Sequence, residues 1–165
     1  MKLAVLGAGA WGTALAIAFS ARHAVTLWAR RAEVRGVLRD DRENRRFLPG
    51  HRFPDALLIG DDFERAAADA DLLLVATPIS GLRATVARLR DAGVVKPLLW
   101  ACKGLEAETA KLPHQIVAEE LGAQALCGAL SGPSFAEEVA RGLPAAVALA
   151  ANDAEFGHRP ARALH

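Results

Sequence analysis

Gly7, Gly9 and Gly12 close an apolar run that begins at Lys2, in the spacing G-x-G-x-x-G, and residues 11–19 continue at once in helix-like sequence. Each glycine has its own use in a strand-turn-helix unit. Gly7 permits the tight reversal, Gly9 lets the backbone approach a pyrophosphate, and Gly12 lets helix and strand pack closely. The helix N-terminus at Ala10 and Trp11 then faces the phosphate charge. The chemistry these residues suit is dinucleotide binding. A plain turn is the alternative, and the strand before and helix after weigh against it.

A second choice falls about 20 residues beyond the glycines, where an NAD-specific unit places an acidic residue against the ribose hydroxyls. Here the chain reads Leu27-Trp28-Ala29-Arg30-Arg31, with two guanidiniums and no carboxylate. An arginine fork suits a phosphate dianion, so Arg30 and Arg31 are candidates to hold a 2′-phosphate. The other reading makes them the first solvated turn after a strand. The first reading predicts that NADPH is accepted at least as well as NADH.

The elements that must position these residues follow from hydrophobic patterning. Apolar β-leaning runs recur at 3–6, 25–28, 56–59, 72–76, 98–101, 125–130 and 145–150. Segments of helical period lie between them at 32–42, 63–70, 81–91 and 112–121. Several strands are apolar on both faces, as in a parallel sheet covered by helices on both sides. The expected fold is α/β, a Rossmann-type doubly wound and mostly parallel sheet, in one domain over 1–165. Residues 152–155 read as a cap for a further helix over 156–165. No successor strand comes after it, which suggests the first domain of a longer protein.

Composition narrows the partners. With 165 residues, 52% hydrophobic, and a formal net charge of +1, the chain has the core of a compact domain without a broad basic field for nucleic acid. The arginines crowded into residues 22–52 are interspersed with Asp40, Asp41 and Glu43, and much of the group reads as one solvated helix face. Cys102 and Cys127 lack metal-ligand spacing and read as buried thiols in a reducing cytoplasm. No metal site is expected. Neither a secretory leader nor a membrane span is visible.

Three later segments stand beside the glycine turn: Asn44 to Gly50 (NRRFLPG), Trp100 to Glu106 (WACKGLE) and Ser131 to Ala140 (SGPSFAEEVA). Together the four motifs closely resemble bacterial NAD(P)-dependent glycerol-3-phosphate dehydrogenases, in order and through essentially the whole chain. The resemblance covers only the N-terminal half of such an enzyme, so the helical substrate domain of the family is expected to be absent. It implies NAD(P)H as cofactor and a small phosphorylated triose or glycerol as substrate. It also implies a homodimeric full-length enzyme and a role in glycerophospholipid synthesis.

Residue by residue, the resemblance makes Lys103 a contact to both substrate and nicotinamide cofactor and the catalytic residue of this half. Gly132 and Ser134 match substrate contacts. Trp11, Arg30, Pro78 and Ala136 match positions at the cofactor, joining Gly7, Gly9, Ala10, Gly12 and Arg31. Ser134 with Glu137 is also a capping box by its spacing, and Phe47 matches an aromatic that borders the cleft or sits in the core. The family's proton-relaying lysine belongs to the second domain. General acid and base catalysis contributes roughly 100- to 10,000-fold, so this chain is expected to bind nucleotide and turn over little. Other two-domain dehydrogenases, of the ketopantoate or hydroxyacyl-CoA type, and a stand-alone NAD(P)-sensing module are the competing readings.

Overall fold

The computed structural model describes residues 1–164, so His165, the last residue of the expected terminal helix, lies outside the described residues. The chain runs β1 (Lys2–Leu6), α1 (Ala10–Ser20), β2 (Ala24–Trp28), α2 (Ala32–Asp41), β3 (Glu43–Asn44), β4 (Leu48–Arg52), β5 (Leu57–Gly60) and α3 (Phe63–Ala68). It continues through β6 (Leu72–Val75), α4 (Ile79–Asp91), β7 (Leu98–Trp100), α5 (Pro113–Leu121), β8 (Cys127–Ser131), α6 (Ala136–Ala140), β9 (Ala148–Ala151) and α7 (Ala154–Leu164). The main sheet has the order β5-β2-β1-β6-β7-β8-β9. Every pairing in it is parallel except β8 with β9.

The expected Rossmann-type arrangement is therefore present. Strand residues alternate between two apolar layers, which explains why the strands read as apolar throughout. Leu3, Val5, Val25, Leu27, Leu72 and Leu74 point into a layer completed by α1, Leu38 of α2, Val139 of α6 and Phe156 of α7. Ala4, Leu6, Leu73, Val75, Leu98 and Trp100 point into the opposite layer, filled from α3, α4 and α5.

The chain reverses its winding between β1 and β6, and there the backbones are packed to the limit. Gly7 has φ +124°, and a Cβ on it would lie 2.7 Å from the Ala76 carbonyl oxygen. A Cβ on Gly12 would lie 2.0 Å from the oxygen of Gly7. Helix α1 can thus start directly above the end of β1 only with glycine at both positions.

Three details differ from the sequence reading. Residues 43–52 form a short antiparallel hairpin of β3 and β4, which apolar periodicity does not reveal. Asn44 fastens it: its Nδ2 donates to the Ala8 carbonyl at 3.0 Å and to Thr13 Oγ1 at 2.8 Å. Most of the arginine cluster is exposed, as expected, but two members are tied into the fold. Arg42, in the left-handed region at φ 52°, donates to the carbonyls of Leu57 and Pro54 at 2.9 and 2.6 Å, and Arg35 donates to Ala29 at 2.8 Å. Finally, Cys127 is buried but Cys102 only half-buried; burial pushes the Cys102 thiol up to about 11.

The residues read as a helix cap at 152–155 do start α7, with Asp153 Oδ1 accepting from the Phe156 amide at 2.6 Å. Among the described residues, no helix is long and apolar enough to cross a membrane.

Gly12→Ala should cost about 3 kcal/mol or more, because the methyl must displace backbone at the strand end rather than a side chain. A urea midpoint equal to that of the unaltered protein would show that the turn can relax.

Candidate functional site

The carboxyl ends of the parallel strands carry a cavity of about 330 Å³. Its wall joins the start of α1 (Ala10, Trp11), the residues just past the end of β7 (Ala101, Lys103), and the end of β8 with the segment leading into α6 (Leu130 to Gly132, Ser134 to Ala136). Parallel packing aligns these chain ends at one sheet edge, although together they span more than a hundred residues of sequence. Six residues singled out from sequence therefore share one wall: Ala10, Trp11, Lys103, Gly132, Ser134 and Ala136.

The others lie around it. Gly9, at the cap of α1, has nothing within 4 Å of where a Cβ would stand. Its open side is available to a ligand, unlike the packed sides of Gly7 and Gly12. Pro78 caps α4, just beyond the Ala76 end of β6 that touches Gly7. Arg30 and Arg31 are exposed on the turn after β2, with Arg31 at the cap of α2. Neither belongs to the cavity wall. Arg35 holds that turn from below, donating to the carbonyls of Ala29 and Arg30 at 2.8 and 3.1 Å.

Among the described residues, two hydroxyls at the ends of β6 and β8 lack a protein hydrogen-bond partner. Ser134 Oγ and Thr77 Oγ1 are both buried and unbonded. The capping box read at Ser134 is not formed: α6 begins at Ala136, Phe135 occupies the cap position, and no side chain bonds the helix end. The box needs the serine immediately before the helix, and here the helix starts one residue too late. Gly132 has a packing reason to be glycine, since a Cβ would lie 2.3 Å from the Ala146 carbonyl oxygen. Phe47 is neither core nor cavity wall; it is 46% exposed, with the Arg46 guanidinium 5.0 Å above its ring.

Lys103 is exposed on an irregular loop between β7 and α5. The start of the loop is fixed by the Ala101 amide, which donates to the Val75 carbonyl at 2.9 Å. Further on, Glu106 meets Arg83 of α4 in a two-pronged pair, Nε to Oε1 and Nη2 to Oε2, both at 2.8 Å. Arg83 also donates to Glu120 at 2.7 Å and to Glu119 at 2.9 Å. The guanidinium, assisted by the Thr109 hydroxyl, pulls the Glu106 carboxyl down to about 2. Sequence reading missed this cluster because its charges come from three separate elements.

Comparison with known proteins identifies the family and the fold. The family model described as the N-terminus of NAD-dependent glycerol-3-phosphate dehydrogenase matches residues 2–157. The chain is 61% identical over its whole length to a glycerol-3-phosphate dehydrogenase [NAD(P)+] of Dechloromonas aromatica and 59% identical to one of Aromatoleum aromaticum. It spans half the length of each of these relatives. A crystal structure of a glycerol-3-phosphate dehydrogenase from Coxiella burnetii superposes with a TM-score of 0.92 at 33% identity, covering 99% of this chain and 50% of that one.

The Glu106 pair carries a pH signature. A carboxyl held near 2 in the folded chain and near its ordinary 4.5 when unfolded stabilises the fold at neutral pH. That contribution fades as pH falls from about 4.5 toward about 2. Unfolding midpoints in urea should fall more steeply with acid for the unaltered chain than for Glu106→Gln; parallel pH curves would show that the pair contributes nothing.

Proposed function

This chain belongs to the N-terminal family of NAD-dependent glycerol-3-phosphate dehydrogenases, and we propose on that premise that residues 1–165 are the dinucleotide-binding domain of such an enzyme. The whole enzyme would interconvert sn-glycerol 3-phosphate and dihydroxyacetone phosphate by hydride transfer to or from NAD(P). One observation carries the reading: Lys103, Gly132, Ser134 and Ala136 meet the Ala10–Trp11 start of α1 in a single cavity.

The residues present fit a dinucleotide. The Gly9 side of the turn is open where a side chain would obstruct a phosphate, and the amides at the start of α1 suit negative charge. Ser134 Oγ, buried without a partner, has a bond left to make. Leaving a buried polar group unpaired costs about 1–3 kcal/mol, so a ligand that accepts or donates there is favoured. Gly7, Gly9, Ala10, Trp11, Gly12, Pro78, Lys103 and Ala136 would form the cradle, with Lys103 touching substrate as well as cofactor. Arg30 and Arg31, at the end of β2 where no carboxylate stands, would meet the adenosine end and its 2′-phosphate.

When bound, the nicotinamide supplies or accepts the hydride at its C4. The chain's own contribution to the chemistry is Lys103. Among the described residues no carboxylate pairs with its ammonium, so the charge is available to hold a substrate oxygen and offset negative charge developing on it. It is also the one titratable side chain in the cavity wall. His51, His114 and His158 do not line it. A proton still has to reach the carbinol oxygen, and a second acid or base is worth roughly 100- to 10,000-fold. The chain alone therefore binds cofactor and turns over little.

The finer parts of this reading are a cytoplasmic setting, a homodimeric whole enzyme, and supply of backbones for phospholipids; family membership alone supports them. The alternatives, a stand-alone sensor or a dehydrogenase of the ketopantoate or hydroxyacyl-CoA type, are not favoured by the family match.

Titrating the chain with NADPH and with NADH, followed by tryptophan fluorescence, tests the proposal, since Trp11 lines the cavity. Saturable binding with NADPH at least as tight as NADH is expected. Arg30→Ala should weaken NADPH about tenfold, or roughly 1.4 kcal/mol, and leave NADH within about twofold. Absence of binding by either nucleotide would overturn the cofactor reading; unchanged NADPH affinity in Arg30→Ala would overturn only the role of that arginine.

A further inference from the structure

We infer that Arg83 is a positioning residue for Lys103, acting through its two-pronged hold on Glu106. The inference rests on the reading of Lys103 as a cofactor contact and adds how that contact is held in place.

Lys103 begins a stretch with no helix or strand to fix it. From Ala101 to Leu112 the chain is irregular, Lys103 and its next two residues are exposed, and Gly104 turns through a left-handed φ of +95°. Two ties bound this stretch. Upstream is the Ala101 amide on the Val75 carbonyl at 2.9 Å. Downstream is Glu106, whose own turn is closed by its amide on the Lys111 carbonyl at 2.9 Å and by the Ala110 amide on its carbonyl at 2.8 Å. That turn is self-contained, and the Arg83 guanidinium fastens it to α4.

Four residues, 102–105, separate one anchor from the other, and of these only Cys102 packs against the apolar layer. Without the guanidinium no side-chain bond ties the loop to the helices beneath it between Ala101 and the Lys111 and Glu119 ion pair. Ordering those residues on ligand binding costs entropy, at roughly 1 kcal/mol or more per residue, and groups that hold a site are most effective when locked beforehand.

The clamp also has an electrostatic task. Glu106 lies three residues from Lys103 and would, if released, compete for its ammonium. Arg83 engages both carboxylate oxygens of Glu106, whose side chain is only 14% exposed, and leaves the lysine charge for the cavity. Joining α4 to α5 does not require this arm, because Arg83 reaches α5 separately through Glu119 and Glu120.

The test is a double-mutant cycle on NADPH affinity, read by tryptophan fluorescence on this chain, with melting temperature measured alongside. Lys103→Ala and Arg83→Met should each weaken binding about tenfold. The double variant should bind within about twofold of Lys103→Ala, because Arg83 acts only through the lysine. Glu106→Gln, which keeps the side-chain size and leaves Arg83 its α5 partners, enters the same cycle should Arg83→Met fail to fold. Unchanged affinity in Arg83→Met or Glu106→Gln, or losses that add to that of Lys103→Ala, would overturn the positioning role and leave the lysine reading intact. Unchanged affinity in Lys103→Ala would instead overturn the lysine reading, and the clamp's purpose with it.

Discussion

Everything at the cofactor edge depends on how closely three backbone segments approach where the sheet changes its winding. The end of β1, the start of α1 and the end of β6 are in contact with no room for a Cβ at Gly7 or Gly12. That contact sets α1 squarely over β1, aims its amides at the edge, and opens the crevice between β1 and β6 that doubly wound sheets use for ligands. Gly9, beside them, has free space instead. Within one short turn, two glycines are therefore required by the protein's own packing, and the third is spare unless something else occupies its open side.

The same edge is reached by two other chain ends, and each is fastened from behind. The turn after β2 is held by Arg35 on the carbonyls of Ala29 and Arg30. The loop after β7 is held by Arg83 on Glu106. In both cases the tie is a planar fork with several donors, Arg35 satisfying backbone carbonyls that the end of β2 leaves without sheet partners and Arg83 gripping a side-chain carboxylate. Asn44 does the equivalent for the hairpin, bonding the glycine turn through Ala8 and the first helix through Thr13. Loops at the binding edge are thus individually tied to the layer beneath, while the charges that face outward, Lys103, Arg30 and Arg31, remain unencumbered.

What the sequence reveals and what it hides divides along the range of the interactions. The glycine turn, the apolar strands and the position of Lys103 after β7 are local patterns, and they appear in the structure where they are expected. The β3–β4 hairpin is not legible, because Glu43–Asn44 and Leu48–Arg52 lack alternating apolar residues and are held instead by Asn44 and by the Glu43 carboxylate on the Gly50 amide at 2.9 Å. The Arg83 cluster is hidden for a related reason: its members sit on α4, on the loop and on α5, and only the fold makes them neighbours. Ser134 shows the reverse error. Its spacing to Glu137 fits a capping box, yet the helix starts at Ala136 and the hydroxyl is left unbonded.

That unbonded hydroxyl bears on how binding and chemistry are divided. A capping serine would be spent on the helix and contribute nothing to a ligand. Ser134 Oγ and Thr77 Oγ1 are instead buried with hydrogen-bonding capacity unused, at the ends of two different strands on the edge that holds the cavity. Such groups have hydrogen bonds left to make, and a ligand that engages them satisfies that capacity on binding. Beside them the wall contains one titratable residue, Lys103, and otherwise backbone, hydroxyls and apolar surface. A wall of that kind can recognise and orient a polar ligand and offset one developing charge, but it has no second group to exchange a proton with it. The physical character of this edge is therefore that of a binding surface carrying a single charged contact, and any proton relay must come from groups outside its wall.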